Sequence, residues 1–328
     1  MAEQAKSVIL STGSYLPEIE IRNEDLTQFP KDAIPLIEKY TGIRARRKAP
    51  DGMLTSGMAT EAAKSCLERI RFSPTNVGGL LVCTSTPDRS FPPTATKVQC
   101  DIGMQLGQSF AFDMNSVCSG SLFGISVADS LIKNRACDHI LVIGADMYSR
   151  ILFEKDFSTL PFFGDGAGAI LLGRDSERPG AGILRSLMRS HGGKGEAAVH
   201  NGNGVMPLKD ERSRYVKMDG RAIYEFALRE GSNIIREIVE ESGLSFSDIS
   251  LFVTHQANLN IITAIAEKLD IPMEKFFVNL VEYGNTAGAS VPIALDEALG
   301  KNLARRGDLI VLAAFGGGLS WSASLIRY

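Results

Sequence analysis

The same order of elements is written twice along this 328-residue chain, and that repetition restricts the fold more than any single motif does. Apolar runs of strand length alternate with amphipathic helical stretches, the pattern of an α/β protein. Strands are predicted at Ser7–Ser11, Gly79–Thr84, Phe110–Met114, Ile140–Gly144 and Ala167–Leu172, and helices at Thr55–Arg69, Ala95–Leu106 and Ser119–Asn134. The second half repeats the order. Asp138 and Ile140–Gly144 match Asp308 and Ile310–Ala314 at an offset of 170, and Ser73 with Val77 matches Ser245 with Ile249 at 172. Leu81-Val82 resembles Phe252-Val253, Asp129 pairs with Asp296 at 167, and FFGDGAG at 162–168 echoes AFGGGLS at 314–320. Several matches in one order read as a duplicated βαβ-type unit with a pseudo-twofold, the offset drifting where loops absorb insertions. The halves are expected at 1–178 and 179–328. A glycine-rich polar stretch around 179–217 joins them, beginning as a strand and continuing as a long loop.

Equivalent loops of two such halves converge near one axis, so the repeat also says where to look for chemistry. By letters, Cys118 falls on Asn285 at an offset of 167, and Thr84 falls on His255 at 171. Cys118, in FDMNSVCSGSLFGISVADSLI, follows an apolar strand and a small-residue turn, and precedes a helix. A thiol there meets the positive end of the helix dipole and unpaired N–H groups, which favours thiolate; a small buried packing residue is the plain alternative. His255 ends the strand in LFVTHQANLNII and is one of four histidines, with 139, 191 and 200. Gln256-Ala257-Asn258 can orient its ring, although a structural or exposed histidine also fits. Asn285, in VEYGNTAGASVPIALDEAL, has a donor amide among Ala287, Gly288 and Ala289, or is a turn asparagine. FGGGLSW at 315–321 offers backbone N–H groups without side-chain obstruction. GDGAGA at 164–169 lacks the Lys-Ser/Thr of a phosphate loop, and GxGxxG is missing, so tight glycine packing is expected there.

Composition removes other classes. Thirty-five basic and 38 acidic residues leave a net charge of −3 with no long like-charged block, which gives nucleic acid or an anionic membrane nothing to hold. The densest basic cluster is Arg44, Arg46, Arg47 and Lys48. No apolar run approaches the ~20 residues of a membrane span, and MAEQAKSVIL does not read as a signal peptide. The five cysteines, 66, 83, 100, 118 and 137, are odd in number and lack CxxC spacing, so a reduced cytosolic enzyme is expected without a zinc site.

HQAN at 255–258, GNTxxxSVPIAL at 284–295, FGDGAGA at 163–169, TGIRARR at 41–47 and the terminal FGGGLSWSASLIRY together resemble the β-ketoacyl-acyl-carrier-protein synthase III family of the thiolase superfamily, over nearly the whole chain. The resemblance implies a thiolase fold layered αβαβα, with Cys118, His255 and Asn285 as the catalytic set and the N–H groups of Cys118 and Gly317 as an oxyanion hole. It implies acylation of Cys118 by an acyl-CoA, then decarboxylative condensation with malonyl-ACP or malonyl-CoA, His255 and Asn285 holding the enolate oxygen. It implies no metal or redox cofactor, a cytoplasmic location, an acyl carrier protein as partner, and a homodimer in which Phe91 caps the partner's acyl pocket. Thr41, Arg150 and Gly220 match CoA-binding positions, and Arg221 and Tyr224 keep polar and aromatic contacts there. Leu36 replaces the aromatic that usually stacks on adenine, Tyr40 stands where an arginine is common, and Asn260 departs from the Leu-Arg that often follows HQAN. These changes raise a specialised polyketide, quinolone or biotin-precursor enzyme as the alternative to a fatty-acid initiator. Three rivals fail on named residues. A degradative thiolase needs a cysteine after Cys137, hydroxymethylglutaryl-CoA synthase an acid where 84–86 read TST, and an elongating synthase a histidine at Asn285.

Overall fold

The computed structural model describes residues 6–175, 180–193, 199–200, 205 and 208–328. Five strands form the first sheet: β1 Lys6–Tyr15, β2 Gly79–Cys83, β3 Phe110–Met114, β4 His139–Met147 and β5 Asp165–Asp175, in spatial order β1-β5-β4-β2-β3. Four form the second: β6 Gly182–Ser190, β7 Leu251–Thr254, β8 Leu309–Gly316 and β9 Ser320–Arg327, in order β6-β9-β8-β7. A parallel bridge from Phe252 to Phe276 stands where the fifth strand would be. Each sheet runs antiparallel, antiparallel, parallel, parallel from its first strand, so the two halves share one topology.

Side-chain alternation sorts the layers. In β2, Leu81 and Cys83 face the cluster between the sheets, whereas Leu80 and Val82 face the outer one. Helices α1 Thr55–Arg69 and α2 Thr94–Asp101 cover the outside of the first sheet. Helices α4 Ser232–Glu240 and α5 Leu259–Leu269 cover the outside of the second. Between the sheets lie α3 Gly120–Lys133 and α6 Ser290–Gly300. The result is αβαβα. Leu122, Ile125 and Ile132 of α3 are fully buried there, each contributing about 1.5–3 kcal/mol of transfer free energy.

Element bounds differ from expectation in two ways. β1, β4 and β5 run past their apolar stretches because antiparallel pairing also organises their polar ends. Helix α2 stops at Asp101, short of Leu106, because the chain turns at Gly103 with φ 79°. The boundary at 178/179 and much of the glycine-rich stretch (194–198, 201–204 and 206–207) lie outside the described residues.

Strand register corrects the correspondence drawn from letters. Leu81 pairs with Val142 and Val253 with Leu312, so these strands match at offsets of 172 and 170. The turns Val117–Ser119 and Ala287–Ala289 match at 170, and Val117 and Ala287 share positive φ values of 47° and 50°. Cys118 therefore corresponds to Gly288, Asn285 to Asn115, and His255 to Cys83. The letter matches found the right loops but slipped by three residues and by one, since a turn has no periodicity to hold a register.

Within the basic cluster Arg46 is structural. Arg46 is buried and donates to Ile21 O at 3.0 Å, and to Asn23 Oδ1 and Pro161 O, each at 2.6 Å. The FGDGAGA aspartate does similar work: Asp165 accepts from Ala49 N–H at 2.8 Å and from Ser149 N–H at 2.9 Å. Gly168 lies so close to α6 that a Cβ would meet Ile293 N at 2.6 Å, the tight packing expected of that run.

Candidate active site

The two central helices point their N-terminal turns at the same place. Cys118 sits in the 3-10 turn just before α3, and Asn285 precedes the matching turn before α6. His255 follows β7, its N–H donating to Ala313 O at 2.8 Å on the neighbouring strand. Cys118, His255 and Asn285 all line one cavity of about 230 Å³, together with Phe163, Phe315 and Gly317. Parallel strands end side by side, so residues far apart in sequence meet beyond their carboxyl ends.

Each side chain is held by a specific partner. Asn285 Oδ1 accepts Ala287 N–H at 2.9 Å, which leaves the amide NH₂ as donor toward the cavity. His255 is 2% exposed, and its Nδ1 lies 2.6 Å from Ser290 Oγ at the start of α6. Its ring meets Phe315 edge-on with centroids 5.8 Å apart. Cys118 is 7% exposed, and the N–H groups of Cys118 and Gly317 both point at its sulfur. Val117, before it, is a β-branched residue held at φ 47°, strain of the kind found where a loop is fixed for function.

The electrostatics correct one expectation. The Cys118 thiol is pushed up to about 12, not down: burial dominates, the Asp146 carboxylate adds to it, and the two N–H groups oppose it. Desolvation disfavours the thiolate, and here it is the largest influence on the thiol. Burial also pushes His255 down to about 3, so the ring is neutral at pH 7. The thiolate is thus a minor species whose fraction grows with pH. Transfer of an acyl group from CoA to Cys118 is expected to keep rising roughly tenfold per pH unit from about pH 7 to about pH 10, read by intact mass; levelling off near about 8.5 would mean an ordinary thiol, and a plateau already below about pH 7 a lowered one.

Gly316 makes room for the Cys118 thiol. A Cβ there would lie 2.6 Å from Cys118 Cβ and 2.9 Å from its sulfur, distances no native contact tolerates. Gly316→Ala is expected to slow acylation roughly tenfold or more by displacing the thiol, while circular dichroism stays native. Unchanged acylation would mean that the thiol does not need that space.

A larger cavity of about 670 Å³ adjoins the first, sharing Val117, Tyr148, Val199 and Gly317. The remaining expected residues divide between sites. Thr41, Gly220 and Tyr224 line the Cys118 cavity, as do Tyr40 and Asn258. Arg150 lines the larger cavity instead, its guanidinium 3.3 Å from Asp51 Oδ1 and from Pro50 O. Arg221 is exposed and pairs with Glu225 at 2.9 Å, lining neither cavity. Phe91 is 83% exposed outside both linings. Asn260 Nδ2 donates to Tyr40 O at 2.8 Å, so two of the substituted positions contact each other, with Leu36 exposed nearby on the Ile34–Thr41 helix. Sequence reasoning missed Ser290, Tyr148 and Asp146. The last could have been found, since strand alignment at 170 sets it opposite Gly316. Among the described residues no cluster of three metal-ligating side chains occurs, and no helix is long and apolar enough to cross a membrane.

Comparison with known proteins gives the same picture. Residues 112–192 match the family model for 3-oxoacyl-[acyl-carrier-protein] synthase III, and residues 239–328 match that for its C-terminal region. A β-ketoacyl-[acyl-carrier-protein] synthase III of Rhizorhabdus wittichii is 38% identical over 323 residues, spanning 98% of this chain and 99% of the relative. The Aquifex aeolicus relative of that name is 39% identical over 320 residues, spanning 98% of this chain and 99% of its own. A crystal structure of the Aquifex aeolicus synthase III superposes with a TM-score of 0.90 at 40% identity, covering 98% of this chain and 100% of that one. The priming β-ketosynthase of the R1128 polyketide pathway superposes equally well, TM-score 0.90, at 28% identity over 99% of this chain and 97% of its own. A duplicated αβαβα fold, a cysteine, histidine and asparagine brought to one cavity, and end-to-end similarity lead to one conclusion: this chain belongs to the β-ketoacyl-acyl-carrier-protein synthase III family.

Proposed function

We propose that the chain joins an acyl-CoA primer to malonyl-ACP by decarboxylative Claisen condensation, starting fatty-acid chains, with Cys118, His255 and Asn285 as its catalytic residues. The observation that carries this reading is the convergence of all three on one cavity, with two backbone N–H groups at the Cys118 sulfur. In the first stage the sulfur attacks the primer thioester. A bond forms from Cys118 to the acyl carbon, the bond to the CoA sulfur breaks, and CoA leaves carrying the thiol proton. The N–H groups of Cys118 and Gly317 stabilise the oxyanion of that step. In the second stage malonyl-ACP loses carbon dioxide, and the electron pair moves into an enolate whose oxygen accepts from His255 and Asn285. A neutral His255 donates without surrendering a proton. The enolate carbon then attacks the acyl carbonyl, and Cys118 leaves as thiolate. Atoms and electrons balance without a metal or redox cofactor.

The finer assignments follow the same reading. Thr41, Gly220 and Tyr224 hold the pantetheine end of the carrier at the cavity mouth, and the larger adjoining cavity takes the acyl chain. Phe91, exposed beside that cavity's 88–90 wall, caps the corresponding pocket of a second copy in a homodimer. Arg150 and Arg221 serve CoA less directly, given the carboxylates they already face. The enzyme works in the cytoplasm. Relatives named β-ketoacyl-ACP synthase III favour fatty-acid initiation over the specialised alternatives.

The test is incubation with a panel of acyl-CoAs followed by intact and peptide mass spectrometry, then addition of malonyl-ACP. An adduct on Cys118 that malonyl-ACP discharges as a β-ketoacyl product supports the reading. No adduct from either CoA or ACP thioesters would end it.

A further inference from the structure

The pseudo-twofold gives the nucleophile pocket a closed twin. With the register above, Cys118 maps to Gly288, Asn285 to Asn115, His255 to Cys83 and Gly316 to Asp146. The backbone repeats closely. Asn115 Oδ1 accepts Val117 N–H at 3.1 Å, as Asn285 Oδ1 accepts Ala287 N–H at 2.9 Å. Ser119 N–H donates to Ser116 O, and Ala289 N–H to Thr286 O, each at 3.1 Å. What differs is which partner of each contact keeps a side chain. On the active side Gly316 has none and the Cys118 thiol fills the space. On the twin side Gly288 has none, and the Asp146 carboxylate fills it: Oδ2 lies 3.0 Å from where a Gly288 Cβ would be. Gly288 N–H, the counterpart of the Cys118 N–H that points at the sulfur, donates to Asp146 Oδ2 at 2.8 Å.

We propose that Asp146 is a positioning residue for condensation: its carboxylate fills the twin of the nucleophile pocket and, through Gly288 N–H, fixes the turn that presents Asn285. That turn is held at both ends. Asn285 N–H donates to Phe162 O at 2.8 Å and its carbonyl accepts Gly164 N–H at 3.0 Å; three residues on, Asp146 takes Gly288 N–H. The other carboxylate oxygen is anchored to the loop after β2, accepting Ser85 N–H at 2.8 Å, Ser85 Oγ at 2.9 Å, Thr86 Oγ1 at 3.2 Å and Thr84 Oγ1 at 3.3 Å. Asp146 is fully buried and does not line the Cys118 cavity, so it acts through the turn and not on substrate. This inference rests on the condensing-enzyme reading.

Asp146→Asn is the decisive variant, because an amide cannot accept from both Ser85 N–H and Gly288 N–H. Condensation is expected to fall roughly tenfold or more as Asn285 loses its placement, while acylation of Cys118 stays within about threefold. Acylation should also reach a given rate at lower pH, since the carboxylate that raises the thiol is gone. A merely structural role would depress both steps together and leave the pH curve in place. Gly288→Ala presses on the same contact from the other side, and its Cβ also meets Val117 O at 3.0 Å, so it is judged by the ratio of the two steps. It should lose more condensation than acylation, and it decides the matter if Asp146→Asn does not fold. Equal loss of both steps, or unchanged condensation, overturns the proposal. A wild-type protein that takes no acyl group would instead overturn the condensing-enzyme reading beneath it.

Discussion

Cys118→Ala gains no acyl mass from an acyl-CoA that labels the wild-type protein, and overall condensation falls by roughly 10⁴-fold or more, as when other enzymes lose a nucleophile. The effect is this large because the first stage has no substitute. Cys118 is the one cysteine lining the cavity, and Cys66 and Cys83 are buried in the packed clusters on either face of the first sheet, outside its lining. Exposed Cys100 lies on α2, away from the cavity, and serves as the control for adventitious labelling. The alanine variant still holds His255 and Asn285, so slow release of carbon dioxide from malonyl-ACP should persist without product. An adduct that survives in Cys118→Ala, mapped to another residue, would remove Cys118 from the mechanism.

The second large effect separates the stages. His255→Ala and Asn285→Ala should each lower condensation by about 10²-fold or more, the cost of removing one donor from a preorganised oxyanion site. Acylation should fall far less if, as proposed, its oxyanion is served by the N–H groups of Cys118 and Gly317. Pre-steady-state acylation and single-turnover condensation, followed by mass, read the two separately. Equal losses in both stages would break this division of labour. The pH dependence adds a check with a definite sign. The folded-state value of His255 is about 3, far below the ordinary 6.5, so the ring stays neutral through the whole range between. Condensation from a preformed acyl-enzyme should therefore show no inflection near pH 6.5. An inflection there would mean a solvated, titrating histidine.

His255 also affects stability. Its proton is bound more readily by the unfolded chain, so its contribution to stability is fully present above pH 6.5 and is lost as pH falls toward 3. Asp146 works in the opposite sense: burial raises its carboxyl to about 6 in the fold, so protonation favours the folded state between about 6 and the ordinary 3.8. The two partly offset each other across mildly acid pH.

Much of this could be read from the letters. Alternating strand and helix patterns fixed the α/β class, because a period of two or of 3.6 is a local consequence of backbone geometry. Repetition at offsets near 170 predicted two matching halves, and the shared strand order of the sheets bears that out. HQAN, GNTxxxSVPIAL and FGDGAGA, in that combination and at that spacing, carried the resemblance to the family. What letters could not supply was register in the turns, which have no periodicity; hence Cys118 was matched to Asn285 when its counterpart is Gly288. Nor could they give the sign of the Cys118 shift. A helix N-terminus is visible in sequence, but the burial that raises the thiol comes from Tyr148, Phe163 and Gly316, drawn from distant segments, and the Asp146 carboxylate adds its charge. The sequence by itself determined the α/β class and the duplication and, through the family resemblance, gave the layering and the candidate reactive residues. Only the tertiary structure decided their protonation, their partners Ser290 and Asp146, and the division of Thr41 and Arg150 between two cavities, because desolvation and hydrogen-bond geometry depend on which loops the folded sheets bring together.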